Sequence, residues 1–75
     1  MIGYSIRLQQ INKEANGKLL GVKLGRYCIR KEISVIEVME YFEVSKQTVY
    51  NWFTGVGDPK GKNYEAIKDY LAAIS

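Results

Sequence analysis

Two helix-start signals, at Ser34 and Ser45, constrain this chain more than any other feature of it. Ser34-Val-Ile-Glu37 reads as a capping box, in which serine and glutamate side chains each satisfy the other residue's backbone N–H. Ile33 and Val38 bracket it as a hydrophobic staple. Val35, Val38, Met39 and Phe42 then fall at i, i+3, i+4 and i+7, one apolar stripe of a short helix whose Glu37, Glu40 and Glu43 look outward. Ser45 repeats the pattern as an N-cap between the staple pair Val44 and Val49, and Gly55 offers a left-handed terminator. Val49, Trp52 and Phe53 form the buried stripe of this next helix. So few residues separate the two stripes that the turn between them must be tight: a helix-turn-helix.

The flanks supply the rest of a core. After the break at Asn16-Gly17, Leu20, Leu24, Tyr27 and Cys28 recur at helical spacing, with Arg30 and Lys31 where cations favour a helix C-terminus. Gly21 and Gly25 each lower helix propensity by about 1 kcal/mol relative to alanine, so they mark either close approach by another element or plain tolerance. Beyond Gly55 the run Gly-Val-Gly-Asp-Pro-Lys-Gly is dense in turn formers. A last helix is expected to start with Asn63 as its cap and to turn Tyr64, Ile67, Leu71 and Ile74 inward. Residues 1–16 are ambiguous: Ile2, Tyr4, Ile6 and Leu8 alternate like a strand, while Leu8, Ile11 and Ala15 are spaced like a helix. They are read as an N-terminal arm that packs across the domain, pairs with a second subunit or reaches toward DNA. Residues 17–75 are read as the domain proper.

A chain of 75 residues, 47% of them hydrophobic, suits one core, because a chain this short buries only about 60% of its unfolded surface. The expectation is an all-α, small four-helix domain. Its core should comprise Leu20, Leu24, Val38, Met39, Phe42, Val44, Val49, Trp52, Ile67 and Leu71. The single cysteine, Cys28, and the absence of histidine leave no internal disulfide and no Cys/His zinc site, so no metal or other cofactor is expected and a reducing, cytoplasmic setting fits. No apolar run approaches the roughly 20 residues of a membrane span, nor does the start read as a signal peptide. Enzyme chemistry is not expected, since no nucleophile and base pair suggests itself and Gly55 to Gly61 lacks the spacing of a phosphate loop. No small-molecule substrate is implied either.

The net charge of +3 favours polyanions only weakly, so its distribution carries more. Glu32, Glu37, Glu40 and Glu43 gather in one stretch, and Lys46, Lys60 and Lys62 follow with only Asp58 opposing. The basic character is therefore read as lying after Val44. On the helix from Ser45 the residues not needed for packing are Lys46, Gln47, Tyr50, Asn51 and Thr54, a continuous face with no carboxylate. Such side chains donate to phosphates and read the donors and acceptors on base edges. Gln47 and Asn51 are the sharpest, because an amide both accepts from adenine N6 and donates to adenine N7.

The stretch Phe42-Glu-Val-Ser-Lys-Gln-Thr-Val-Tyr-Asn-Trp-Phe-Thr-Gly55 resembles the helix-turn-helix of Cro and repressor-type regulators of phage and bacteria, the lambda-repressor-like fold. The likeness runs over about residues 20–71 and is most specific from Val35 to Gly55. Met39 stands where that family prefers alanine, and Glu43 where it prefers a glycine in the turn. Glu43 must therefore go left-handed, at about 1 kcal/mol, or use another turn geometry. The resemblance implies double-stranded DNA as partner and transcription regulation as function, with base contacts from Lys46, Gln47, Tyr50 and Asn51. It implies contacts to backbone phosphates from Val35, Ser45, Thr48, Thr54, Lys60 and Lys62, and a homodimer with half-sites about 34–36 Å apart. The competing expectation is a protein-interaction module of the same shape, which would use Glu37, Glu40 and Glu43 or the apolar arm from Ile2 to Leu8 to hold a host or viral partner protein.

Overall fold

Within the computed structural model, residues 4–74 are described, and among them the chain forms five helices and no strand. These are α1 (Ile6–Glu14), α2 (Leu20–Arg30), α3 (Val35–Phe42), α4 (Lys46–Thr54) and α5 (Lys62–Ile74). The all-helical expectation holds, but the count of four does not, because the supposed arm contains α1. Ser5 caps it, its hydroxyl accepting from the Leu8 N–H at 3.0 Å. The inward residues of α1 are Leu8 and Asn12, with Ala15 half-buried just past its end, whereas Ile6 is 84% exposed and Ile11 also lies outside. Of the two spacings read over residues 1–16 the helical one holds, but Asn12 takes the inner place that the apolar pattern gave to Ile11. Ile2 lies outside the described residues.

Asn12 is 2% exposed, and its amide Nδ2 donates to the carbonyls of Phe53 at 2.7 Å and Val22 at 3.3 Å. The last carbonyls of a helix have no partner within it. Asn12 therefore closes the C-terminal end of α4 from another helix, while Gly55 N–H donates to Trp52 and Gly57 N–H to Asn51. Arg26 does the same service for α1: its Nη2 donates to Ala15 at 2.9 Å and Lys13 at 3.1 Å, a cation at a helix C-terminus. At the start of α2 the N-cap Leu19 has no capping side chain. There the Gly21 N–H donates to Asp58 Oδ1 at 2.8 Å, so a loop distant in sequence supplies the cap.

Helices α2 and α4 pack with their backbones almost touching, and the two glycines in α2 are the reason. A Cβ placed on Gly21 would lie 2.7 Å from Trp52 Cβ and 2.8 Å from its Cα and carbonyl oxygen. On Gly25 it would meet the Asn12 amide at 2.6 Å and the Phe53 ring at 2.8 Å. Beneath this seam sits the core: Val22, Leu24, Val49, Phe53 and Ile67 are each 0% exposed and Cys28 1%. Of the expected core, Leu24, Val38, Phe42, Val49, Trp52 and Ile67 are buried, and Leu20, Met39, Val44 and Leu71 are half-buried against them. Tyr4, Leu8 and Val22 join from outside the expected core.

Helix α5 begins at Lys62, so Asn63 lies inside it instead of capping it. Gly61, at φ 59, makes the reversal just before, and the first turn closes by Glu65 N–H donating to the Gly61 carbonyl. Tyr64 is 39% exposed and not an inner residue; the side chain of Ile74 lies outside the described residues. At the capping box, Ser34 Oγ accepts from Glu37 N–H at 3.1 Å, but the carboxylate takes the serine hydroxyl at 3.4 Å in place of the backbone N–H. Both α2 and α3 end on a left-handed glutamate, Glu32 at φ 58 and Glu43 at φ 56. The residue after each returns its N–H to a carbonyl in the last turn, Ile33 to Cys28 and Val44 to Met39. Of the two turn geometries open to Glu43, the chain takes the left-handed one.

Candidate nucleic-acid interface

The α3–α4 turn is held from both sides. Val44 packs half-buried against the core while Ser45 Oγ accepts from Thr48 N–H at 3.2 Å, which starts α4 at Lys46. Val49, Trp52 and Phe53 are buried, and this anchoring rotates Lys46, Gln47, Asn51 and Thr54 to the accessible side. Helix α4 contains no acidic residue.

Gln47 and Asn51, one helical turn apart, are linked: Gln47 Nε2 donates to Asn51 Oδ1 at 2.9 Å. The bond orients both amides and leaves Gln47 Oε1 and Asn51 Nδ2 as an acceptor and a donor side by side at the surface. Such a pair matches a base edge that offers a donor next to an acceptor. Lys46 is exposed, its ammonium 5.6 Å from the centre of the Tyr50 ring. Tyr50 is not a fully outward residue, for its side chain is half-buried against the core.

The residues expected at backbone phosphates divide. Ser45 and Thr48 share a hydroxyl–hydroxyl bond of 2.9 Å, so one of their two protons is engaged and one is left to donate. The Thr54 hydroxyl is turned back on its own helix, donating to the Tyr50 carbonyl at 2.7 Å, and in that rotamer it has no proton for a phosphate. Val35 is half-buried at the start of α3, where the Glu37 carboxylate in the first turn already answers the positive end of the helix and opposes an anion. Lys60 is exposed in the α4–α5 connection. Lys62 lines a groove between the end of α3 and α5, with Glu43 and Tyr41, and is not grouped with the α4 face.

Charge is distributed otherwise than the sequence reading placed it. Arg7, Lys13, Lys18, Lys23, Arg26, Arg30 and Lys31 all precede Glu32, with only Glu14 among them, and all are exposed. The stretch after Val44 sets Lys46, Lys60, Lys62 and Lys68 against Asp58, Glu65 and Asp69, nearly neutral. The strongest positive surface thus belongs to α1 and α2.

Asn12, Arg26 and Asp58 were not singled out from the sequence, although they set where α4 sits relative to α1 and α2. The available signal was Asn12 four residues after Leu8 on one helical face, beginning from the N-cap Ser5. Burial governs the titratable groups of the interior. It pushes the Cys28 thiol up to about 12, with the Glu37 carboxylate adding to the effect. Burial likewise raises the Tyr4 phenol above its ordinary value, with Cys28, Tyr50 and Glu37 contributing further. Among the described residues no three His, Cys, Asp or Glu side chains come together as a metal site, and no helix is long and apolar enough to cross a membrane. Compared with known proteins, the chain matches no family model, no curated protein and no solved structure.

Proposed function

We propose that this protein binds double-stranded DNA sequence-specifically, with α3 and α4 as a helix-turn-helix and α4 as the helix that enters the major groove, and that it regulates transcription, in the manner of phage-type repressors. The observation that carries this reading is the accessible side of α4, free of carboxylates and bearing the hydrogen-bonded Gln47–Asn51 pair. An α-helix with its side chains is about 10–12 Å across and a major groove about 12 Å wide, so the face that enters must tolerate phosphates on both walls. Lys46 meets that requirement, and the Ser45–Thr48 hydroxyl pair supplies one more donor at the same end. Gln47 and Asn51 then read bases, adenine foremost. One short helix covers only a few base pairs, and two copies double the site.

Selection of binding sites from random DNA, followed by titration of the winning sequence across salt, tests the proposal. The expected result is a discrete motif, an affinity that falls as salt rises, and a loss of about tenfold or more for Gln47→Ala with Asn51→Ala at unchanged helicity. No enriched motif, or binding indifferent to salt, overturns it.

A second reading, a module that binds a host or viral partner protein, draws on α3. Its outer side pairs Glu37 and Glu40 with the unusually exposed Ile36, at 63%, and Tyr41, at 66%. Function that survives the double alanine variant selects that reading instead.

A further inference from the structure

Two surfaces of this chain, neither of them the α4 face, carry opposite charge beside exposed apolar side chains. The first is a groove of about 590 Å³ between α1 and α2, with Ile6 and Ile29 along it and Lys13, Arg26 and Arg30 on its walls. Ile6 is 84% exposed, an apolar residue at the rim with nothing of its own chain to cover it. The second is the outward side of α3. Since Val38 and Phe42 are buried, helical geometry turns Ile36, Glu37, Glu40 and Tyr41 away from the core, apolar residues flanking carboxylates.

We infer that this protein self-associates by laying the outer side of α3 of one copy into the α1–α2 groove of another. The outer side of one helix lies along the groove between two others, Ile36 meets Ile6 and Ile29, and Glu37 and Glu40 meet Lys13 and Arg30. The charge contrast extends over the whole blocks that carry these faces. Residues 1–31 hold seven cations and one carboxylate, and residues 32–45 hold four carboxylates and no cation. Pairing groove with groove or α3 with α3 would set like charge on like charge, so each copy offers its partner the opposite patch. Every chain carries both halves, and association closes as a two-fold pair when both contacts form at once, or runs head to tail when they do not. Because Arg26 is engaged with the end of α1, Lys13 and Arg30, the latter 5.7 Å from the centre of the Tyr27 ring, carry the electrostatic part.

The inference concerns the protein alone and is tested without DNA, so its failure leaves the DNA reading standing. Sedimentation or light scattering of the full chain over a range of concentrations reads the mass directly. The wild type is expected to exceed the mass of one chain as concentration rises, and about 0.5 M salt is expected to weaken the association several-fold by screening the charges. Glu40→Lys alone and Arg30→Glu alone are each expected to stay monomeric, and their equimolar mixture to associate, since the intact groove of the first accepts the intact α3 of the second. Ile36→Ser, a neutral change at an exposed site, should abolish association with helical circular dichroism unchanged, which keeps the inference testable if a charge reversal fails to fold. A wild type that is monomeric at every concentration, or an association that Glu40→Lys, Arg30→Glu and Ile36→Ser all leave intact, overturns the inference.

Discussion

Helices α2 and α4 meet backbone to backbone, whereas α3 and α5 meet through rings. On the first side, Gly21 and Gly25 admit Trp52 and Phe53 so closely that no methyl group fits between. On the second, Tyr41 and Phe42 of α3 stand 5.2 Å and 5.7 Å from the Tyr70 ring of α5, with a cleft of about 390 Å³ beside them. Close backbones leave no side chain free to adjust, so the seam fixes α4 rigidly, and with it the face that carries Gln47 and Asn51. Rings with open space beside them can shift, so the far side tolerates change. The helix proposed to read DNA is thus fastened by its buried flank and its C-terminal end to the tightest part of the molecule.

The largest break in that contrast is expected from Gly21→Ala. Its methyl group meets the Trp52 backbone, which cannot rotate away, and stability should fall by about 3 kcal/mol. Tyr41→Ala, which takes a 66%-exposed ring from its contacts with Phe42 and Tyr70, should cost only about 1 kcal/mol. Urea unfolding followed by Trp52 fluorescence compares the two, and equal losses would erase the distinction. Next comes Asn12→Ala, which strands the Phe53 carbonyl in the interior and should cost about 2 kcal/mol. Amide exchange should show the last turn of α4 opening more in this variant than its first turn.

The contrast also marks what the sequence disclosed. Helices α3 and α4 were legible almost to the residue because their starts are written locally, in Ser34, Ser45 and the valines beside them. The face of α4 was legible because Val49, Trp52 and Phe53 leave only one side over. Helix α1 was legible only as one of two alternatives, since its buried stripe passes through Asn12, whose worth lies in a carbonyl far along the chain. Asp58 sat among turn formers with no local sign that it caps α2. Gly21 and Gly25 signalled either contact or tolerance, and only the position of Trp52 decides for contact. Local chemistry is visible in the sequence, but caps and contacts supplied from a distance are not.

Alkali separates the two sides by a third route. Cys28 lines the cleft beside the Tyr70 ring, and its thiol is raised from 9.0 to about 12 by burial. Above pH 9 the unfolded chain loses this proton and the folded chain keeps it, so the folded state binds more protons and stability falls with rising pH. The slope approaches about 1.4 kcal/mol per pH unit for one group, and the loss is complete once pH passes the folded value. Below pH 9 the thiol contributes no pH dependence. Thermal melts from pH 8 to 11 should show the decline, and Cys28→Ala should flatten it; a variant with the wild-type slope would assign the titration elsewhere, to Tyr4 first.

The smallest effect expected is a gain. Glu43 ends α3 at φ 56, where an L side chain crowds its own backbone and glycine does not. Glu43→Gly should therefore stabilise the fold, by about 1 kcal/mol less the extra freedom glycine has when unfolded. In a chain of this size that is a melting point higher by a few degrees, about 2–5 °C. Gly55 ends α4 in the same region at φ 82, and Gly55→Ala should lower the melting point by a similar amount. The pair tests whether the two helix ends obey one steric rule on opposite sides of the molecule. If Glu43→Gly destabilises, the glutamate is held by something other than the turn, and the self-association proposed for the acidic α3 side is the first place to look, because dilution would then remove the difference between variant and wild type.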